Sequence, residues 1–294
     1  MTKDLSAISW EFSGGFSKDI AEKVLLSAES IGVCVRTIPG KRDTRRVSLP
    51  EGVFYVRRVV NDGFLRSFLS WLSNYFFGDE FTISKSLFER GVNSPEVLAY
   101  GEVLSALRVR RSVTITSEVP RARTLKDFYS SEFAGFSRKE KKEAIKEFAG
   151  FLRLLHDKGV THEDPHMGNI LVRRDGIYEF FLLDVRDVRF KKRLSPAERF
   201  ANLALINLNF ISNVEASLKF LFFKRYCEGL VERGALKNAI EGIEEMTLLV
   251  AFETWGKKAA RCMGENNLFF ASRPHQAGGL SVRVRRPWEA KEGM

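Results

Sequence analysis

A chain of 294 residues with 44% hydrophobic and 29% charged side chains can bury about three quarters of its unfolded surface, which excludes disordered, collagen-like and low-complexity classes. Its net charge of +10, from 47 basic and 37 acidic residues, points to an anionic partner: nucleic acid, anionic lipid or a phosphorylated sugar. No apolar run approaches the roughly 20 residues of a membrane-spanning helix.

Met1 to Phe12 carries Lys3, Asp4 and Glu11 around a weak apolar stretch, unlike a secretory or transit peptide. Cys34, Cys227 and Cys262 are odd in number and far apart, which argues against a disulfide framework or a cysteine zinc site. A reduced, cytoplasmic location is therefore expected. Residues 1–28 are weakly patterned and read as an N-terminal extension. Ile31 to Thr37, Arg45 to Leu49 and Val53 to Val60 predict three strands, punctuated by Pro39-Gly40 and Pro50-Glu51-Gly52. Phe64, Phe68, Leu72 and Tyr75 recur at helical spacing, and a second helix over Glu80 to Arg90 is stopped by Gly91. Phe64 to Phe77 reads first as a stripe packed on the sheet and second as a helix lying in a membrane interface. Pro95 to Gly101 reads as a loop and Ser112 to Glu118 as a strand, so a small sheet with a helix against it is expected over 29–119.

After Pro120 the pattern turns helical, and 120–294 reads as a larger lobe. Ser137 and Glu140 form a capping box that opens a long helix ending at Gly159. Ile170 to Val172 and Phe180 to Leu183 flank Asp175-Gly176 as a hairpin, and Pro196 to about Arg261 reads as helices. The tail alternates Val282 and Val284 with Arg283 and Arg285, a pattern that fits an edge strand or a basic arm. The basic excess is local: eight basic against three acidic residues from Arg36 to Arg66, six against one from Arg108 to Lys126, and six against two from Arg186 to Arg199. No nucleic-acid motif accompanies it.

Three of the four histidines fall within His156 to His166. His162-Glu163-Asp164-Pro165-His166 matches the letters of H-E-x-x-H, a zinc motif that requires both histidines on one continuous helix. Pro165 forbids that helix at a cost of about 3 kcal/mol, and Gly159 has already ended the only nearby one. The alternative is a loop that presents Asp164 and, five residues on, Asn169, with Asp184 at the end of the following hairpin. Phosphoryl transfer needs such a set: one carboxylate to orient an attacking hydroxyl, and an amide oxygen with a second carboxylate to hold magnesium against nucleotide phosphates.

The segment LLHDKGVTHEDPHMGNILVRRDGIYEFFLLDVRDVRF resembles the catalytic and metal-binding region of the bacterial lipopolysaccharide core kinases, the Kdo and heptose kinases. VFYVRRV, EFTISKSLFERGVNSPEVLAYGEV, TITSEVPRARTLKDF and LKFLFFKRYCEG are similar to the third strand, paired-Glu helix, inter-lobe linker and a late helix of the same family, in the same order, over about residues 31 to 265. The resemblance implies an α+β, bilobal protein-kinase-like fold with a small sheet lobe and a larger, mainly helical lobe. It makes Asp164 the catalytic base, Asn169 and Asp184 the magnesium ligands and His162 a structural residue of the loop. Arg57, Glu80, Lys41 and Glu118 then fall at nucleotide-contacting positions. The implied cofactors are ATP and Mg2+, and the implied acceptor is a sugar hydroxyl of lipopolysaccharide core or a lipid A-linked saccharide. Location on the inner face of the inner membrane, with peripheral contact to anionic lipid, would fit that acceptor.

The chain departs from the family in two places. Arg57 stands where kinases carry lysine, and Pro39-Gly40-Lys41-Arg42 replaces a glycine-rich phosphate loop; this turn fits either a phosphate grip or a solvated bend. Asp164-Pro165-His166 also resembles the quinone-biosynthesis atypical kinases, whose Lys-x-Gly-Gln element is missing here. A kinase-like module that binds nucleotide without transfer is a further reading.

Overall fold

The computed structural model describes residues 8–38, 42–60, 79–105, 108–208, 214–263, 269–272 and 281–284; Lys41 and the apolar stretch Phe64 to Phe77 lie outside them. The chain divides into two compact units, residues 1–194 and 195–294.

The first unit opens with a six-stranded antiparallel sheet built from β1 (Ile8–Phe12), β2 (Val33–Ile38), β3 (Arg42–Leu49), β4 (Gly52–Val60), β5 (Val97–Ser105) and β6 (Arg108–Ser117), in the order β1-β5-β6-β4-β3-β2. The weakly patterned N-terminus belongs to this sheet. β1 pairs with β5, and α1 (Lys18–Ser30), capped by Ser17, lays Ala21, Val24, Leu25 and Ala28 on Val47, Phe54, Val56 and Ile115. The spacing of those four helix positions is one helical face, and the larger buried side chains among them, Val24 and Leu25, contribute about 1.5–3 kcal/mol each.

Pro95 to Gly101, expected as a loop, runs instead into β5. Gly101 reads as punctuation in sequence but lies opposite Trp10 in the ladder, where a Cβ would stand 2.7 Å from Ile8 Cγ2 and 2.9 Å from the Trp10 ring. The glycine permits close approach of β1 rather than a turn. α2 (Asp79–Glu89) packs beside β5 with Glu80, Ile83, Ser84 and Leu87 buried.

Beyond the linker, β7 (Arg123–Thr124) and α3 (Leu125–Ser131) lead to α4 (Arg138–Asp157), whose Ser137/Glu140 capping box forms as expected. Phe148, Leu152 and Leu155 lie buried on one face of α4; the Phe151 ring stacks on Phe180 and the Phe148 ring tilts against it, each with centroids 5.3 Å away. Gly159 ends the approach with φ +71°, its missing Cβ leaving room for the Lys191 carbonyl. There follow β8 (Val160–His162), the hairpin β9 (Ile170–Asp175) and β10 (Ile177–Leu182), and β11 (Val188–Phe190), which pairs with β8.

The second unit is helical as expected, with α5 (Pro196–Leu208), α6 (Ala216–Cys227) and α7 (Leu236–Met263). α5 packs on α7, and the buried Asn207 Nδ2 donates to Thr247 Oγ1 at 3.1 Å. The tail segment is a strand: β13 (Ser281–Val284) pairs with β12 (Phe269–Ser272). The α+β class is as expected, with the antiparallel sheet in the N-terminal region and helices dominating the C-terminal part. Among the described residues no helix is long and apolar enough to cross a membrane.

Candidate active site

The loop between β8 and β9 is held by histidines. The His162 ring is 2% exposed; its Nδ1 accepts from the Asp164 N–H at 3.1 Å, so its Nε2 carries the proton and donates to the Leu183 carbonyl at 3.0 Å. One imidazole thus ties Asp164 to the residue preceding Asp184. His166 Nδ1 accepts from the Gly168 N–H at 2.9 Å, and its Nε2 lies 3.7 Å from Asp164 Oδ2. Asp164 itself is open to solvent, with a side chain 65% exposed.

Asn169 joins the same framework. Its Nδ2 donates to the Asp164 carbonyl at 3.0 Å, and its own carbonyl accepts from the Leu183 N–H at 2.8 Å. Because Nδ2 is engaged inward, the amide oxygen is the atom available for a cation. On the far side of the hairpin the Leu182 N–H donates to Asn93 O at 2.9 Å, which fixes the end of β10 to the loop after α2.

Asp184 follows with φ +46° and ψ +54°, a left-handed conformation that aspartate tolerates. Three guanidiniums surround its carboxylate. Arg186 donates to Oδ1 from Nε at 3.2 Å and Nη2 at 3.0 Å, Arg57 Nη1 reaches the same oxygen at 3.4 Å, and Arg42 Nη1 stands 3.8 Å from Oδ2. Burial alone would raise this carboxyl, yet Arg186, Arg57 and Arg42 together hold it below the usual carboxylate value. Arg57 also pairs with Glu80, which is 7% exposed and accepts a further bond from Thr114 Oγ1 at 3.3 Å. Burial, with Arg186 and Arg42 close by, pulls the Arg57 guanidinium below its ordinary value; two carboxylate partners keep it charged at neutral pH.

Several of these residues line one cavity of about 390 Å³, whereas His162, Asp164, His166 and Arg186 stand outside its lining. Arg42, Arg57, Glu80, Asn169 and Asp184 form its charged end; Val35, Val97, Val119, Leu171 and Leu182 form an apolar slot. Arg42 and Thr44 belong to the wall, and among the described residues Arg42 Nε and Thr44 Oγ1 are buried with no hydrogen-bond partner. Arginines at one set of positions and aliphatic side chains at another fit an anion that also carries an apolar part. For a metal, one amide oxygen and one carboxylate suit Mg2+, a hard ion that keeps several waters. No cluster of three or more His, Cys, Asp or Glu able to hold a metal exists among the described residues, so an all-protein cage is not what these residues build.

Among solved structures the chain is similar to WaaP in complex with acyl carrier protein, at a TM-score of 0.60 and 17% identity, over 87% of this chain and 100% of that one. At that identity the likeness shows the fold, a kinase-like one. Curated proteins supply no match. The model of the lipopolysaccharide kinase (Kdo/WaaP) family matches residues 41–222, more than half of the chain. The chain belongs to that family. It is thus a member of a family of kinase phosphotransferases of lipopolysaccharide biosynthesis.

In this family member the sequence-expected residues fall into three groups. Arg57, Glu80, Asn169 and Asp184 meet at the cavity. Asp164 stands beside it through Asn169. Glu118 is at the wall, but its carboxylate takes a bidentate bond from Arg46, at 2.8 and 3.1 Å, and one from the Tyr55 hydroxyl at 3.3 Å; the Glu118 backbone N–H donates to Val53 O. Lys41 is not among the described residues. Sequence reasoning passed over Arg186 and Thr114 as site residues, and took Arg42 only as half of a basic pair. No local pattern marks them: an arginine two residues past an aspartate carries no signal of where its head group folds.

Proposed function

We propose that this kinase uses ATP and Mg2+ to phosphorylate a sugar hydroxyl, Kdo or heptose, of the lipopolysaccharide inner core. The observation that carries the reading is the run of ion pairs Glu80–Arg57–Asp184 at the charged end of a cavity that Asn169 also lines. The apolar slot suits the base, and Arg57 and Arg42 suit the phosphates. Asn169 and Asp184 would hold Mg2+, which when bound would neutralise phosphate charge as it shifts toward the leaving oxygen. Asp164 orients the acceptor hydroxyl and takes its proton while the new oxygen–phosphorus bond forms. The bond from phosphorus to the bridging oxygen breaks, and ADP leaves with that electron pair. Aiming Asp164 is the work of His162 and Asn169, through the loop backbone.

The basic surface suits an anionic glycolipid, and that acceptor places the enzyme on the cytoplasmic face of the inner membrane, in peripheral contact with anionic lipid. The test is mass spectrometry of core oligosaccharide from cells with and without the gene, joined to transfer by the purified protein. One added phosphate that depends on Asp164 supports the reading; identical core from both strains, with no transfer in vitro, refutes it. A second reading, nucleotide binding without transfer, is favoured by the arginine at position 57 and by the crowding of guanidiniums on Asp184. Magnesium-dependent ATP binding with no turnover on any core saccharide would select it.

A further inference from the structure

Arg57 and Arg186 hold the same oxygen of Asp184, but they are held differently themselves. Arg57 is anchored from behind by Glu80, so it keeps a partner whatever Asp184 does. Arg42 reaches Asp184 only at 3.8 Å, and among the described residues its buried Nε has no hydrogen-bond partner. Arg186 spends both Nε and Nη2 on Asp184 Oδ1, and among the described residues its side chain makes no other hydrogen bond or ion pair. It sits on the short turn Val185–Asp187, which directly follows Asp184. A cation taken by Asp184 competes with the Arg57 and Arg186 guanidiniums for that carboxylate, and since Arg57 keeps Glu80 as a partner, Arg186 is the one left without its own. The fork released in this way is built for paired oxygens, and a phosphoryl group offers the same bidentate geometry as the carboxylate it leaves.

We propose that Arg186 is a catalytic residue that exchanges Asp184 for the terminal phosphoryl group of the bound nucleotide and neutralises it during transfer. This rests on the kinase reading above. In the free protein Asp184 stands in for the phosphate and keeps Arg186 folded against a side chain that lines the cavity. Arg186 is then a cation supplied in cis to the group in flight, a role that Arg57 cannot take while Glu80 ties it to α2.

The test is calorimetric titration of the intact protein, with Mg2+ present, using ADP and a non-hydrolysable ATP analogue, for wild type, Arg186→Ala and Arg186→Lys. The analogue should weaken by about 10-fold or more in Arg186→Ala while ADP changes by less than about 2-fold, and turnover should fall about 10³-fold or more, in line with other arginines that act on a transferring phosphoryl group. The Mg2+ concentration at half-saturation of ADP binding should drop, since a competitor for Asp184 is gone. Arg186→Lys should recover part of the analogue affinity, and it supplies the reading if the alanine variant does not fold. Equal loss for both nucleotides, or loss for neither with normal turnover, overturns the proposal. Wild type that binds neither nucleotide removes the kinase reading and this inference together, a result distinct from any in which only the variants fail to respond.

Discussion

Arg57 on β4 is paired with the buried carboxylate of Glu80 on α2, a contact across 23 residues of chain that couples the sheet to its helix at the charged end of the cavity. Both partners are nearly enclosed, with side chains 12% and 9% exposed. Removing one partner leaves an uncompensated buried charge, which costs about 3–5 kcal/mol. Arg57→Ala is therefore expected to lower the melting temperature sharply, and Arg57→Ala with Glu80→Ala to recover part of the loss. A double-mutant cycle of thermal melts reads the coupling directly; strictly additive losses would show that the pair does not act as one.

Asp164 makes no side-chain bond that the fold depends on, since its carboxylate is open and the loop is held through its backbone. Asp164→Ala is expected to reduce transfer by about 10³-fold or more, a loss of the kind produced by removing a general base and its positioning. Its far-ultraviolet circular dichroism, melting temperature and nucleotide affinity should match those of the parent.

Acid should unfold the first unit partly through Asp184. Its carboxyl is raised by burial but lowered further by Arg186, Arg57 and Arg42, so its native value lies beneath the ordinary 3.8. A group shifted down stabilises the fold at every pH above its unfolded value, and that increment disappears as pH falls through the native value. Melting temperature should consequently decline below about pH 4, and Asp184→Asn should flatten that part of the curve while lowering stability at neutral pH. Parallel acid limbs for the two proteins would contradict this.

Gly159 has φ +71°, and any Cβ there would overlap the Lys191 carbonyl, whose own N–H donates to Gly159 O at 2.8 Å. Gly159→Ala should cost upwards of about 1–3 kcal/mol, the strain of a left-handed non-glycine residue, with the clash added. Because the β8–β11 pair starts at this point, activity should fall along with chemical-denaturation stability. An unchanged midpoint would mean that the backbone relaxes freely here.

Nucleotide together with Mg2+ should stabilise the folded protein. At 100 times the dissociation constant a ligand specific to the native state adds about 2.7 kcal/mol. The rise in melting temperature should vanish with a chelator and in Asp184→Asn, because Asp184 supplies the only carboxylate of the expected magnesium pair.

Elements written by neighbouring residues were legible in the chain itself. The Ser137–Glu140 capping box, the Asp175-Gly176 hairpin, the Gly159 stop and the helices of the second unit rest on interactions between residues a few positions apart, and such interactions leave a pattern in one dimension. The loop carrying Asp164 and Asn169 was legible for the same reason, with Pro165 excluding the helical alternative. Tertiary structure alone decided the remainder. β5 looked like a loop because Gly101 accommodates Trp10, which lies 91 positions earlier. Glu118 is held by Arg46, 72 positions away, and Arg57 meets Asp184 across 127. Charge pairing over such distances depends on which strands are neighbours in the sheet and which turn folds back against it, and neither leaves a trace in the local spacing of residues.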